Sequence, residues 1–187
     1  MKIILASNSP RRKELLEKNN IDFKVIVSNV NETLDESLSV YDNVKRLALL
    51  KATDDFNLYR DEIVLAADTI VVYDNIILGK PKDEEDAFRM LKLLSGKTHE
   101  VITAVAVICK DVKLVEYEVS KVEFRNITDL EILDYIKTTE PMDKAGSYAI
   151  QGIGSKFVLK YEGEFDNIVG LPMNLVKKLL KKQGLEI

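Results

Sequence analysis

Hydrophobic residues alternate between two spacings along the chain, and the spacings divide it into strands and helices. Short runs rich in Val and Ile read as strands: Lys2-Ile3-Ile4-Leu5, the alternating Phe23 to Val27, and EIVLAADTIVVYDNIILGKP, where Asp74-Asn75 marks a hairpin turn. Asp68 interrupts the first strand of that hairpin. Helical spacing predicts a first helix over Arg11 to Lys18, with Ser9 as N-cap and Pro10 in its first turn, and a second over Val40 to Phe56. Val40, Val44, Leu47 and Ala48 share neighbouring faces of that second helix, with Lys51 beside them. Asn29 to Ser39, mostly polar, reads as a loop.

Further on, Asp83 caps a helix whose Ala87, Met90, Leu91 and Leu94 form an apolar stripe ending at Gly96. Residues 99–109 and 113–125 pair as a long hairpin across Lys110-Asp111-Val112. Thr128-Asp129-Leu130-Glu131 has the form of a capping box. KAGSYAIQGIGSK, dotted with glycine, reads as a loop around a short strand, and Leu171-Pro172-Met173 opens a last helix reaching Gly184. The alternation of strand and helix predicts an α/β fold on a mixed sheet. With no repeat, low-complexity stretch or linker, residues 1–187 are treated as one domain, and no composition change marks a lobe boundary.

Composition narrows the function. The chain is 46% hydrophobic, enough for a packed core, and its 27 basic against 31 acidic residues argue against a general nucleic-acid coat. Any anion site must therefore be local. One cysteine, Cys109, excludes an internal disulfide, and with a single histidine it cannot build a zinc cluster. The longest strongly apolar stretch, Val101 to Cys109, is too short to span a bilayer. The expectation is a cytoplasmic protein with no membrane partner.

Familiar nucleotide motifs are absent. No G-x-x-x-x-G-K-[ST] loop occurs, and Gly152-Ile153-Gly154 is only a fragment of the dinucleotide fingerprint, because Phe157 stands at the third glycine position. His99, the only histidine, gives little support for a serine hydrolase and is read as structural. Cys109 is read as packing, and the basic helix NLVKKLLKKQG as a solvated last helix rather than a membrane or partner surface.

Other residues stand out against their surroundings. Arg11 and Arg12 fall in a first helical turn, where positive charge opposes the helix dipole, a cost that an anion at that end would offset. An exposed basic turn is the alternative. Asp68, among Ala66, Ala67, Ile70 and Val71, needs a partner such as a metal ion, a lysine or a backbone amide, unless it pins a turn at a strand end. Lys80 lies between Gly79 and Pro81 on restrained backbone, and Lys51 lies beside Ala48 and Ala52, free to snorkel or to reach a phosphate. Gln151 carries an amide able to read donor and acceptor positions on a base edge, or to be satisfied by its own loop. Glu32 lies in a polar loop, where glutamates are usually just solvated.

In their order, ASNSPRRKELL, VNETLDE, RLALLKA, AADTIVV, LGKPKDEEDAFRMLKLLSGKTHEVITAVA, EPMDKAGSYAIQG and VGLPMNLV resemble the Maf (septum formation inhibitor) proteins over almost the whole chain. The resemblance implies an elongated mixed α/β fold with flanking helices and two lobes around a cleft, similar to inosine triphosphate pyrophosphatases. It implies a nucleoside triphosphate pyrophosphatase that uses a divalent metal, Mg or Mn, and water to release a monophosphate and pyrophosphate. By the same resemblance, Arg11, Arg12, Lys51 and Lys80 hold phosphates, Glu32 and Asp68 hold the metal, and Asp68 accepts the proton. Thr69 and Gln151 place the chain with the branch acting on dTTP and UTP. Asn8 departs slightly from the family pattern, standing where glycine or alanine often does. A homodimer is compatible, and a regulatory role in cell division through partner contact is the rival function.

Overall fold

The computed structural model describes residues 2–27, 30–110 and 112–185. A seven-stranded mixed sheet runs in the order β2-β1-β3-β5-β6-β7, with β4 beside β3. Its strands are β1 (Ile3–Ala6), β2 (Phe23–Ile26), β3 (Ile63–Tyr73), β4 (Ile76–Leu78), β5 (Thr98–Cys109), β6 (Val112–Phe124) and β7 (Val158–Glu162). The helices are α1 (Pro10–Lys18), α2 (Val40–Phe56), α3 (Glu84–Leu94), α4 (Asp129–Ile136), α5 (Phe165–Val169) and α6 (Met173–Lys182). The backbone gathers into two compact units, one of Met1–Asp68, Thr103–Glu118 and Gly170–Ile187, the other of Thr69–Ile102 and Val119–Val169.

In the first unit β1 lies between two parallel neighbours, Ile3 pairing with Phe23 on one side and Ile63 on the other. Parallel strands are covered on both faces, and all four residues of β1 are buried, as are Ile63 to Ala67 of β3. Val40, Val44, Leu47, Ala48 and Ala52 make the buried face of α2. Helix α6 buries Met173, Leu175, Val176, Leu179 and Leu180, while Lys178 and Lys182 both reach Glu116 on β6, at 2.6 and 2.7 Å. The lysines of the last helix stay exposed, as expected, two of them paired with Glu116. Cys109 is buried, as expected of a core residue.

The second unit packs the stripe of α3 (Ala87, Met90, Leu91, Leu94) into a core with Val71, Leu78, Phe124, Tyr135, Tyr148 and Phe157. Strand β4 pairs antiparallel with β3 across a turn in which Asp74 and Asn75 both have positive φ, the geometry of a tight hairpin. The capping box of α4 forms as predicted from Thr128 and Glu131.

Several expectations change. Asp68 does not interrupt β3; the strand runs through it. No strand forms within KAGSYAIQGIGSK, which instead makes two 3-10 turns, Ala145–Ser147 and Ile153–Phe157. Gly146 and Ser147 both have positive φ, which bends the chain away from any extended path. A five-residue helix, α5, lies where the pattern gave none, and α6 ends at Lys182, two residues before Gly184. The hairpin between β5 and β6 passes Lys110, which has positive φ; Asp111, in its turn, lies outside the described residues.

Candidate active site

The first unit brings four of the predicted residues together. β1 delivers the chain to Ser7, and Ser9 and Pro10 start α1 as expected, although the Ser9 side chain makes no capping bond; its own N–H takes the Ser7 hydroxyl as acceptor. This turn sets Arg12 across the end of the sheet. Arg12 Nη1 donates to the Ala67 carbonyl at 2.9 Å and to Ser7 Oγ at 3.2 Å, and Nε donates to the Gly170 carbonyl at 2.8 Å. The guanidinium therefore locks the β1–α1 turn to β3 and to the approach to α6, and this role in the fold was not read from the sequence.

One residue beyond Ala67, Asp68 lies 6% exposed in β3. Its partner is Lys51 of α2: Nζ approaches Asp68 Oδ1 at 2.6 Å and Glu32 Oε2 at 3.0 Å. Of the partners open to Asp68 in the sequence, the structure shows the lysine. Lys51 is snorkelling along a buried helix face into a carboxylate pair, its side chain 13% exposed. Burial pushes the Asp68 carboxyl up from its ordinary value, opposed by Lys51 through charge and hydrogen bond and by Arg12, with Glu32 adding to the upward push. Burial lowers Arg12, Asp68 and Glu32 raise it, and neighbouring Arg11 lowers it. The four side chains form one electrostatic group.

Glu32 comes from the long loop between β2 and α2, and two α2 residues hold that loop. Asn43 is buried; its Nδ2 donates to the carbonyls of Asp35, Leu38 and Ser39, while its Oδ1 accepts from the Asp35 N–H at 2.8 Å. Arg46 donates to the Thr33 carbonyl. Neither residue was singled out from the sequence. A signal existed for Asn43: with Val40, Val44 and Leu47 it occupies an i, i+3, i+4, i+7 stripe, and a polar residue in such a stripe must find buried partners.

The remaining candidates are placed singly. Arg11 is half-buried in the first turn of α1, and Thr69 follows Asp68 on β3. Lys80, between β4 and α3, and Gln151, between the two 3-10 turns, are exposed and belong to the second unit. Asn8, the small departure from pattern, is exposed and accepts from Lys13 Nζ.

A metal fits this chemistry. Two carboxylates already converge on one cationic atom, and their oxygens are the hard donors that Mg and Mn prefer. Among the described residues no group of three or more His, Cys, Asp and Glu could hold a metal.

Residues 2–183 match the Maf-like protein family. The chain belongs to that family. Among curated relatives of this Maf-like chain, a dTTP/UTP pyrophosphatase of Caldicellulosiruptor bescii is 49% identical over 192 residues, covering 100% of this chain and 96% of its own. A dTTP/UTP pyrophosphatase of Bacillus cereus is 51% identical over 186 residues, covering 100% and 97%. Among solved structures, the Ham1 protein of Staphylococcus aureus aligns over 98% of this chain and 100% of its own, with a TM-score of 0.54 and 14% identity. At that identity the likeness is one of fold, the mixed α/β fold expected. No helix among the described residues is long and apolar enough to cross a membrane.

Proposed function

We propose that this Maf-like chain hydrolyses dTTP and UTP between the α- and β-phosphates, releasing the nucleoside monophosphate and pyrophosphate. The observation that carries the proposal is the partly buried Lys51 ammonium held between Asp68 and Glu32, in a chain about half identical, end to end, to dTTP/UTP pyrophosphatases.

The roles follow from the chemistry. Asp68 and Glu32 would hold a divalent ion, Mg or Mn. When bound, the ion neutralises phosphate charge and lowers the pKa of water. Lys51, with Arg11 and Lys80, meets the phosphate oxygens, and Arg12 adds positive charge from a backbone-locked position. Water attacks the α-phosphorus in line with the bridging oxygen to the β-phosphorus; that P–O bond breaks, and its electron pair leaves with pyrophosphate. Asp68 takes the water's proton. Thr69 and Gln151 select the base, Gln151 offering donor and acceptor to the imide edge of thymine or uracil.

The test is pyrophosphate release from a panel of canonical nucleoside triphosphates, with Mg and with chelator, alongside Asp68→Asn. The expected result is metal-dependent release from dTTP and UTP that falls by at least ~10³-fold in the variant. Preference for a purine would overturn the assignment of Thr69 and Gln151, and absence of release across the panel would overturn the enzyme itself.

A further inference from the structure

The Gly152-Ile153-Gly154 pair, a fragment of a dinucleotide fingerprint by sequence, has a different cause in the structure. A Cβ on Gly152 would sit 2.0 Å from Glu140 Oε1, and a Cβ on Gly154 would sit 2.7 Å from the Tyr135 hydroxyl. The glycines are therefore spaces for a carboxylate and a phenol. Glu140 fills them: Oε1 accepts from the Ile153 N–H at 2.9 Å, and Oε2 accepts from the Gly154 N–H at 2.9 Å and from Tyr135 Oη at 2.6 Å. The carboxylate caps the Ile153–Phe157 turn from another segment of the chain, satisfying amides that such a turn cannot satisfy itself. Burial raises the Glu140 carboxyl, but its hydrogen bonds from Tyr135, Gly154 and Ile153 and the charge of Lys144 outweigh this and leave it below its ordinary value.

Gln151 immediately precedes this clamp, and a second anchor lies on its other side. Tyr148 is buried, with its hydroxyl hydrogen-bonded to His99 Nε2 at 2.8 Å and its ring edge-on to Phe124. Gln151 is thus an exposed side chain on backbone fixed both before and after it. A base-reading amide needs this arrangement, because its selectivity depends on holding donor and acceptor at set positions.

We propose that Glu140, braced by Tyr135, is a specificity-determining positioning residue that fixes the loop presenting Gln151 to the base. This rests on the reading of Gln151 as the residue that contacts the base. Glu140 does not touch the substrate; it acts through the Ile153 and Gly154 amides.

The test measures kcat and KM for dTTP, UTP and dGTP in the wild type, Glu140→Gln, Gln151→Ala and the double variant, with thermal melts to establish folding. Glu140→Gln keeps the side-chain shape but turns an NH2 toward a donor. It is expected to raise KM for dTTP about tenfold, leave kcat within about twofold, and narrow the dTTP-to-dGTP ratio of kcat/KM. In the double variant that ratio should equal that of Gln151→Ala alone. Tyr135→Phe, which removes one donor and keeps the ring, should shift the ratio in the same direction by less, and serves if Glu140→Gln does not fold. An unchanged ratio in Glu140→Gln and Tyr135→Phe, with Gln151→Ala narrowing it, would overturn the positioning role alone. Independent, additive losses in the double variant would do the same. A ratio unmoved by Gln151→Ala would overturn the base-reading role of Gln151, and the proposal with it.

Discussion

Asp68 and His99 are both ionisable side chains buried within strands, 6% and 2% exposed, yet the two units treat them in opposite ways. Asp68 is surrounded by cations: Lys51 at 2.6 Å, and Arg12 near enough to oppose the effect of burial. His99 has a phenol and aromatic rings, Tyr148 and Phe124, and its Nδ1 has no hydrogen-bond partner among the described residues. Burial pulls it down to about 3, so it is neutral at pH 7. A buried charge needs an arranged set of counter-charges; a buried neutral ring needs only shape and one hydrogen bond. The structure therefore places His99 in the core of its unit, as its sequence context suggested.

The strongest way to break the comparison is to leave Asp68 unpaired. Lys51→Met keeps most of the apolar stem and removes the ammonium, leaving a buried carboxylate with Arg12 alone nearby. Destabilisation at pH 7 should be about 3 kcal/mol, with a ceiling near ~4 kcal/mol because Asp68 can always take a proton instead. Urea unfolding measures it, and adding Asp68→Asn should restore most of the loss. If the single variant were as stable as the wild type, Asp68 would not depend on Lys51, and the contrast with His99 would collapse.

His99 supplies a smaller effect, spread over pH. In the unfolded chain its pKa is near 6.5, and in the fold about 3, so between these values the unfolded state holds a proton that the native state lacks. Stability contributed by the neutral ring is fully present above pH 6.5 and is lost as pH falls toward 3, at up to about 1.4 kcal/mol per pH unit. Carboxylates add their own slopes below pH 5, so the comparison is with His99→Gln between pH 7 and 5. The wild type should lose about 2 kcal/mol more across that range than the variant does, whatever the variant's stability at pH 7. Equal slopes would mean that His99 takes up its proton in the folded protein as readily as in the unfolded chain.

The parts of the site that were legible in the sequence are those where a residue type contradicts its surroundings. Asp68 inside LAADTIVV and paired arginines in a first helical turn are costly unless something compensates, and in the fold Asp68 has Lys51 and Arg12 has carbonyls. The regular elements were legible because their apolar periods are long, as in α2 and α3. The segment 145–157 was not, since its path depends on positive φ at Gly146 and Ser147 and on a carboxylate brought from Glu140. Neither leaves a period to read. Arg46 was missed for a related reason: it acts on a backbone carbonyl of a loop, a target that has no sequence signature.

Glu32 separates charge from burial and gives the smallest expected change in stability. It shares Lys51 Nζ with Asp68, but its side chain is 53% exposed and stands in a loop. An ion pair so solvated contributes little, and because Lys51 keeps Asp68 at 2.6 Å, Glu32→Gln should move unfolding free energy by less than about 1 kcal/mol. Loss of the like charge also lessens the upward push on Asp68, which acts in the stabilising direction and makes the net change smaller still. Activity should respond quite differently: on the metal role proposed for the two carboxylates, loss of one is expected to lower dTTP hydrolysis by roughly 10- to 100-fold, with partial recovery as Mg is raised. Recovery with Mg would identify Glu32 with the metal. A loss of activity that Mg does not touch would remove Glu32 from the metal site, and a loss of several kcal/mol would show that the Glu32–Lys51 contact supports the fold after all.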